Sequence, residues 1–392
     1  MNRGLVLSRV KADGPISRAD LVRATGLAKA TVSVIVDELV AAGLLVEAGV
    51  GATSARGGRP PVLLRYDGRS ELLVGVHVGV QRTTATVATG SGEELARRVA
   101  PTERDPVAAV AAMAGPVRAA LGDLHAGLAE VHALAVCLPG LVDPDRGTCL
   151  VAPDLGWRDR AVGPELAAAL GLRVPVRVQN TAQAVALAEN LEGAGAGVAD
   201  MLLVYVGTGV GAAVVHRGVL LSGARGIAGE LGHSTVPGAT GRCTCGRTGC
   251  LETVASAGGI SAAVLAAVAG GAAWPDGLPE GAPAADVVRL AGQGEPVCLV
   301  AVRTAGRELG RAVAWAVNLV NPTRVVVAGG VSAAGELLLA PLREALRAGA
   351  LPEALDGLDV VPGALGQEAK QRGAILTALL TWQGAAADRL GR

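Results

Sequence analysis

The feature that most constrains the fold is a pattern that occurs twice: two apolar strand segments joined by a glycine-bearing bend. The first copy runs from Leu72 through LLVGVHVGV and TTATVAT, and the second runs from Met201 through MLLVYVGTGVGAAVVH. Apolar runs of this length with Gly at the bend are typical of β-hairpins in largely buried sheets. VHALAVCL, VPVRVQN and PTRVVVA are expected to be further buried strands. The repeat predicts a duplicated, two-lobed α/β fold with a cleft between the lobes.

The composition is that of a folded protein of about two or three domains. Of the 392 residues, 51% are hydrophobic and 18% are charged, and because Phe is absent the cores must consist mainly of Val, Leu and Ala. The N-terminus MNRGLVLSRV lacks the apolar core of a secretory signal, and the uncharged segment 253–275 is too rich in Ala, Gly and Ser for a membrane span. We therefore expect a cytoplasmic protein whose six cysteines are thiols or metal ligands.

The N-terminal residues carry helical patterns separated by tight turns. Gly14-Pro15 ends a first helix, and Ser17 with Asp20 has the form of a capping box that opens a second helix ending at Thr25. After a turn at Gly26, a third helix is expected over about residues 29–42. Its inward face consists of apolar residues three and four apart: Val32, Ile35, Val36 and Leu39. The helices alone favour an ordinary helical hairpin over a helix-turn-helix.

The start of the third helix and the segment after it add the features of a DNA-binding module. Helix-turn-helix geometry would point Lys29, Thr31 and Ser33 at base edges. LLVEAGVGATSARGGRPPVLLRYD predicts a β-hairpin wing, whose tip residues could enter a minor groove or grip phosphates: Arg56, Gly58 and Arg59. Residues 1–69 carry 10 Lys and Arg against 6 Asp and Glu, whereas the remainder carries 25 against 29. Helices, wing and charge together predict binding to double-stranded DNA.

Residues 232–252, GHSTVPGATGRCTCGRTGCLE, combine one imidazole with three thiols: His233, Cys243, Cys245 and Cys250. This set is preferred by closed tetrahedral zinc sites, and the intervening glycines let the chain fold tightly around an ion. A reduced cysteine cluster without metal is the alternative. Because four protein ligands leave no open position, we expect a structural Zn2+. The other cysteines are scattered and expected in the core: Cys137, Cys149 and Cys298.

Over nearly its whole length the chain resembles the ROK family of repressors and sugar kinases. GPISRADLVRATGLAKATVS with GGRPPVLL is similar to the winged helix-turn-helix of ROK repressors, which the kinases lack. GTGVGAA resembles the second phosphate loop of the family, and GIAGELGH followed by CTCGRTGCLE resembles its sugar and zinc signature. The resemblance implies an N-terminal winged helix-turn-helix followed by a two-lobed, actin-like and ribonuclease H-like sugar-kinase fold with a structural zinc site.

The resemblance also implies a sugar site. Gly140 would approach the sugar through its backbone, and His233 would serve both metal and sugar. The side chains implied to contact sugar hydroxyls are Asn180, Thr181, Glu230, His233 and Glu252. Amides and carboxylates are suited to orienting a polyol. A residual phosphate loop, or merely a tight hairpin, is expected at Gly207, Thr208, Gly209 and Gly211. Trp157 is expected to pack in the core rather than to line the entrance of the cleft.

Two positions depart from the kinase pattern. In ROK kinases an Asp follows the Asn at position 180 and accepts the proton of the attacking hydroxyl, whereas this chain has Thr181. A neutral hydroxyl is not a usable base, and general-base help is worth about 10²–10⁴ in rate. The kinases also carry Asp-x-Gly-Gly-Thr at the first hairpin, where this chain has HVGVQ from His77. We therefore expect a fold kept for binding, with no catalytic residue.

The expected domains are 1–68 for the winged helix-turn-helix, 69–188 for the first α/β lobe and 189–392 for the second lobe with the zinc site. A helix near 370–385 is a candidate to complete the first lobe. The expected function is a sugar-responsive transcriptional regulator, a repressor in preference to an activator, that binds an operator as a homodimer or homotetramer. An active ATP-dependent sugar kinase that also binds DNA is the alternative. A DNA-binding protein with a vestigial sugar pocket is a third reading.

We expect Arg59→Ala to weaken binding to operator DNA, because it removes a cation from the tip of the predicted wing. Loss of one phosphate contact should also reduce the slope of log affinity against log salt by about one. Fluorescence anisotropy with DNA from upstream of the gene, at several salt concentrations, measures both quantities. Arg104→Ala, outside the expected DNA-binding domain, is the control. Unchanged affinity for Arg59→Ala would count against the wing.

Overall fold

The computed structural model describes residues 2–41, 43–51, 60–68, 71–174 and 176–390. The chain forms two compact units. The first consists of Met1–Val136, Val162–Arg177 and Ala374–Arg392, and the second of Cys137–Ala161 and Val178–Gly373. The expected domain boundaries after residues 68 and 188 stay a prediction.

The N-terminal part of the first unit is a winged helix-turn-helix. Its elements are α1 (Asn2–Asp13), β1 (Ile16–Ser17), α2 (Arg18–Thr25), α3 (Lys29–Ala41), β2 (Leu45–Val50) and β3 (Val62–Tyr66). Strand β3 lies between β1 and β2 and is antiparallel to both. The predicted helices and the predicted wing hairpin are confirmed.

Local chemistry accounts for these helices. The Ser17 hydroxyl accepts a hydrogen bond from the Asp20 amide at 3.2 Å and donates to the Asp20 carboxylate at 2.5 Å, so it caps α2 as predicted. Gly26 adopts a φ of 68°, the left-handed conformation that ends the helix. The predicted inward face of α3 is buried in the core of this segment: Val32, Ile35, Val36 and Leu39.

A five-stranded sheet forms most of the α/β part of the first unit. Its strands are β4 (Leu72–Val78), β5 (Arg82–Thr89), β6 (Glu94–Pro101), β7 (Val131–Leu138) and β11 (Val176–Asn180), in the order β11-β7-β4-β5-β6. The last residues of its strands β7 and β11 belong to the second unit. The predicted first hairpin is confirmed, since β4 pairs antiparallel with β5, and β6 pairs antiparallel with β5 beside it. Every residue of β4 is buried, as expected for an inner strand. The helices are α4 (Ala109–Ala112), α5 (Ala114–Asp123) and α6 (Val162–Leu170).

The second unit contains a sheet of the same design. Its strands are β12 (Met201–Val206), β13 (Val210–His216), β14 (Val219–Leu220), β15 (Arg324–Ala328) and β16 (Asp359–Pro362), in the order β14-β13-β12-β15-β16. In both sheets three consecutive strands lie in chain order, and two later strands extend the sheet beyond the first of them. Strands β15 and β16 are parallel to β12 and to each other. The predicted duplication is therefore present in the topology.

The rest of the second unit covers this sheet. A small antiparallel sheet consists of β8 (Leu141–Asp143), β9 (Thr148–Ala152) and β10 (Trp157–Arg160). The helices are α7 (Thr181–Glu192), α8 (Glu252–Ala255), α9 (Ala257–Ala269), α10 (Ala284–Gly292), α11 (Pro296–Val320), α12 (Glu336–Gly349) and α13 (Pro352–Leu355). Helix α14 (Ala369–Leu390) begins in the second unit and continues in the first. The described part of the chain contains no helix long and apolar enough to cross a membrane.

Candidate functional site

The candidate DNA-reading residues lie at the start of α3. Lys29 is exposed, and Thr31 and Ser33 are partly exposed, while the opposite side of the helix is buried. Val34, which the sequence analysis did not single out, is 57% exposed on the same helix and is suited to contact a thymine methyl group. Arg56, Gly58 and Arg59 lie outside the described residues.

A compact cluster of metal-ligating side chains lies in the second unit: His233, Cys243, Cys245 and Cys250. Their ligand atoms all lie within 4.8 Å of one another. The Cys243 sulfur is 3.6 Å from His233 Nδ1, and the sulfurs of Cys245 and Cys250 are 3.6 Å apart. Ligands about 2.3 Å from a tetrahedral ion would be separated by roughly 3.8 Å. The spacing therefore fits a tetrahedral metal ion and is far too long for a disulfide, which needs about 2.05 Å.

A tight turn builds this cluster. The Cys243 amide donates to the Arg247 carbonyl at 2.8 Å, and the Gly246 amide donates to the Cys243 carbonyl at 3.0 Å. Burial acts to raise the pKa of the Cys245 thiol, but hydrogen bonds from Arg247 outweigh it and lower that pKa to about 7. Burial raises the pKa of the Cys243 thiol to about 12 and also raises the pKa of Cys250, so of the three thiols Cys245 most readily gives the thiolate that binds metal.

Two carboxylates lie beside the cluster. His233 Nδ1 faces the cysteines, while its Nε2 is 3.6 Å from Glu230 Oε2. The thiol of Cys243 donates to Glu252 Oε1 at 3.6 Å, and the amide of Val210 donates to Glu252 Oε2 at 3.1 Å. Burial, and after it the negative charge of Glu252, raises the pKa of Glu230 to about 7. The predicted trio of Glu230, His233 and Glu252 is thus brought together.

Asn180 and Gly140 form a second pair. The Asn180 side-chain oxygen caps α7 by accepting from the amides of Ala182 at 2.7 Å and Gln183 at 3.3 Å. Its side-chain nitrogen donates to the Gly140 carbonyl at 2.8 Å. Gly140 has a φ of 112°, and a Cβ there would collide with the backbone of Val151 and Ala152, so only Gly fits. The cap explains why a helix begins directly after a buried strand.

The first residues of β13 contact both the segment of Asn180 and the segments of Glu230 and Glu252. Gly211 packs against Ala182 at the start of α7. The Ala212 amide donates to the carbonyl of Gly229, the residue before Glu230, at 2.7 Å. The Val210 amide is bound by Glu252. The segments that carry Asn180, Glu230 and Glu252 therefore all meet Val210–Ala212.

Thr181 is buried at the first position of α7, and its hydroxyl has no hydrogen-bond partner among the described residues. A buried hydroxyl without a partner is costly, so a ligand that supplies one is favoured there. Trp157 is 2% exposed, consistent with the expected packing role. His77, at the first hairpin, is buried in β4 of the first unit.

The glycine-rich bend between β12 and β13 is held by its own contacts. The Gly207 amide donates to the Gly209 carbonyl at 2.9 Å, and the Gly207 carbonyl accepts from the Ala257 amide at 2.8 Å. Thr208 is exposed at its tip. With the Val210 amide bound by Glu252, two of the N–H groups of this loop are already paired. These two amides are therefore used within the protein, and the residual phosphate loop stays a prediction.

Sequence reasoning missed a relay of two buried amides. Gln179 donates to the side-chain oxygen of Gln183 at 2.7 Å. Gln183 in turn donates to the carbonyls of Gly226 at 3.2 Å and Ala228 at 3.4 Å, in the loop that leads to Glu230. The signal in the sequence that could have indicated this relay is a pair of Gln residues four positions apart in a largely apolar strand and helix. The relay fixes the Glu230 loop to α7.

Comparisons with known proteins agree with this architecture. The ROK family model matches residues 73–380, and a MarR family model matches residues 3–56. The chain is 35% identical to a glucokinase of Halalkalibacterium halodurans, over 76% of this chain and 91% of the glucokinase. It is 30% identical to a xylose repressor of Caldicellulosiruptor bescii, over 88% of this chain and 87% of the repressor.

A solved structure extends the likeness to the whole chain. The crystal structure of a ROK family transcriptional regulator, a homolog of the Escherichia coli MLC protein, superposes with a TM-score of 0.81 and 30% identity. The match covers 98% of this chain and 97% of that one. The chain therefore belongs to the ROK family. The additional N-terminal segment has the MarR-type winged fold, which places the protein with the DNA-binding architecture of that family.

Because Asn180 both caps α7 and binds Gly140, we expect Asn180→Ala to lower the free energy of unfolding by about 1–2 kcal/mol. Urea denaturation followed by circular dichroism measures the change. Gln293→Ala, at an exposed helix end, is the control and should lie within about 0.5 kcal/mol of wild type. Equal stability of the two variants would contradict the structural role of the Asn180 amide.

Proposed function

We propose that this protein is a sugar-responsive, DNA-binding transcriptional regulator, and a repressor, that uses a sugar-kinase fold as its effector domain. The observation that carries the proposal is the presence of a winged helix-turn-helix and a ROK domain in one chain. The glucokinase relative aligns with only 76% of this chain, whereas the transcriptional regulator of known structure aligns with 98%. The relative from Caldicellulosiruptor bescii is a xylose repressor.

The effector proposed for the second unit is a sugar, bound by Gly140, Asn180, Thr181, Glu230, His233 and Glu252. Asn180 uses its oxygen and one N–H within the protein, so one N–H stays available to a ligand hydroxyl. The Thr181 hydroxyl needs a partner. Glu230 and Glu252 are adjacent acceptors for hydroxyl donors. A polyol, which both donates and accepts at each carbon, matches this set.

The proposed site should bind sugar without transferring phosphate. Isothermal titration calorimetry with D-glucose, D-xylose and N-acetyl-D-glucosamine is expected to detect binding of at least one of them. Glu230→Gln should weaken that binding at least about tenfold at about pH 8.5, above the Glu230 pKa of about 7, because it replaces a charged acceptor. Glu280→Gln, in an exposed loop, is the matched control and should bind as wild type does. Equal affinity in the two variants, or no binding by the wild type, would contradict the assigned pocket.

An ATP-dependent sugar kinase is the second candidate, favoured by the 35% identity to a glucokinase. Against it stand Thr181, which offers no carboxylate base, and His77, which replaces the acid of the first hairpin. Binding of the Val210 amide by Glu252 also places a negative charge beside the glycine loop. A coupled assay of ADP release with the same three sugars decides, and sugar-dependent turnover by the wild type would establish the kinase.

We also propose that the cluster of one His and three Cys holds a structural zinc ion. The residues that would hold it are His233, Cys243, Cys245 and Cys250. One imidazole with three thiolates is a ligand set that zinc favours, and four protein ligands leave no position for a substrate. His233 would then link the metal to Glu230 through its second ring nitrogen.

Cys245→Ala is expected to reduce bound zinc from about one atom per chain to well below one, since it removes one of four ligands. Inductively coupled plasma mass spectrometry after exhaustive dialysis measures the zinc content. Cys149→Ala is the matched control, because Cys149 is buried in β9 outside the cluster and should leave the zinc in place. The same zinc content in both variants would contradict the assignment.

A homo-oligomer, dimer or tetramer, is proposed as the assembled state. Trp315 is 74% exposed and Leu319 is 81% exposed, one turn apart on α11. Leu351, also exposed, is held beside them through the hydrogen bond of its amide to Asn318 at 2.9 Å. An exposed Trp in a chain with only four is suited to the centre of a protein interface. A second copy of the chain would cover this patch and present two winged helices to a symmetric operator.

A further inference from the structure

Four polar and aromatic residues form a buried cluster at the base of the DNA-binding segment: Lys11, Tyr66, Glu71 and Trp382. They come from α1, from β3, from the segment before β4 and from α14. We call them the joint cluster. All four belong to the first unit, although 311 positions separate Glu71 from Trp382. The cluster is therefore a tertiary link between the winged helix-turn-helix, the sheet of the first unit and the C-terminal helix.

One carboxylate oxygen holds the joint cluster together. The Trp382 indole N–H donates to Glu71 Oε2 at 3.0 Å. The Lys11 ammonium is 3.7 Å from the same oxygen and lies 4.0 Å from the centroid of the Tyr66 ring. The positive charge of Lys11 is therefore stabilised both by the carboxylate of Glu71 and by the face of the Tyr66 ring.

Burial makes these contacts hard to break singly. The side chains of Lys11 and Glu71 are only 17% and 10% exposed. Burial lowers the pKa of Lys11, and the carboxylate of Glu71 opposes that effect. Removing one member would leave a buried charge or a buried acceptor without its partner, which is strongly unfavourable. The cluster thus holds the DNA-binding segment in one orientation on the first unit.

Helix α14 also contacts the helix that begins at the effector site. Three contacts in the second unit tie α7 to α14 and to the segment before it. Buried Glu189 accepts from the amides of Ala364 and Leu365 at 3.0 Å each. Glu192 accepts from Arg372 at 2.8 Å. Gly373 lies so close to the Ala184 backbone that a Cβ there would collide with it.

Helix α14 is therefore continuous from α7, which Asn180 caps, to the joint cluster, which Trp382 enters. The part of α14 that lies in the first unit is also closely packed, because a Cβ on Gly75 of β4 would collide with the backbone of Ala374 and Ile375. A rigid helix bound tightly at both ends transmits a displacement better than a loop does.

We propose that Glu71 and Trp382 couple the effector site to the DNA-binding segment, with α14 as the connecting element. This inference rests on the proposed function, because it supplies the route by which a sugar bound beside α7 changes the hold on α1. Loss of the Trp382–Glu71 hydrogen bond should leave the DNA-binding segment folded but loosely held, and insensitive to the effector.

Hydrogen exchange with mass spectrometry on the full chain tests the link itself. Trp382→Phe keeps the aromatic ring and removes the N–H donor. Amides of α1 and β3 should then exchange at least about tenfold faster, equivalent to about 1.4 kcal/mol. Trp274→Phe is the matched control, because it removes an indole hydrogen bond to Leu278 in the second unit and should leave α1 unchanged. Unchanged exchange in α1, or the same acceleration in β4 and β5, would overturn the proposal.

A double-mutant cycle adds a second readout. Lys11→Met keeps the side-chain stem and removes the charge from the shared oxygen. The effects of Lys11→Met and Trp382→Phe on α1 exchange should be non-additive, because both side chains act through Glu71 Oε2. Additive effects would show that they act independently and would count against the shared joint.

Operator binding separates this inference from the proposed function. Anisotropy of upstream DNA is measured with and without D-glucose, D-xylose and N-acetyl-D-glucosamine at fixed salt. Where a sugar shifts the operator affinity of the wild type, Trp382→Phe should reduce that shift at least about threefold, with sugar affinity unchanged in calorimetry. A full shift in Trp382→Phe overturns the coupling. Absence of any shift in the wild type overturns the proposed function and the regulatory half of this inference together.

Discussion

The amide side chain of Asn180 is the interaction on which the candidate site of the second unit depends. Its oxygen caps α7 and its nitrogen binds Gly140, so one side chain fixes the junction between strand and helix and the loop facing it. Helix α7 then positions the loop of Glu230 through Gln183, and the segment before α14 through Glu189. A sugar bound to Asn180, as we propose, would therefore contact the residue that sets the position of α7.

The same helix start explains how a sugar-kinase fold can serve a regulator. Thr181 begins α7 with a neutral hydroxyl, and that hydroxyl is buried without a partner among the described residues. The neighbouring acceptors Glu230 and Glu252 are kept, and their proximity to the cysteine cluster gives them fixed positions. Recognition of hydroxyl groups needs donors and acceptors, whereas phosphoryl transfer also needs a base and charge neutralisation. The proposed function assigns the first requirement to this chain and not the second.

Much of this could be predicted from the sequence, because the determinants are local. The Ser17 cap, the Gly26 turn and the apolar face of α3 are each set by residues close together in the chain. The three cysteines of the cluster are also close together in the chain. The strands β9 and β10 were not foreseen, since they are short and carry mixed polar residues. Nor could sequence pattern reveal the Gln183 relay or the bond between Glu71 and Trp382, because buried polar partners far apart in the chain leave no periodic signal.

The central claim is that one polypeptide couples a sugar site to a DNA-binding segment. The most direct test is the affinity of the purified wild-type chain for DNA from upstream of its own gene, measured by fluorescence anisotropy at fixed salt, because phosphate contacts make affinity strongly salt-dependent. The account predicts tight binding that one sugar shifts by about five- to 150-fold, the range of ordinary allosteric coupling. Failure to bind that DNA, or a binding curve that none of the three sugars moves, would contradict it.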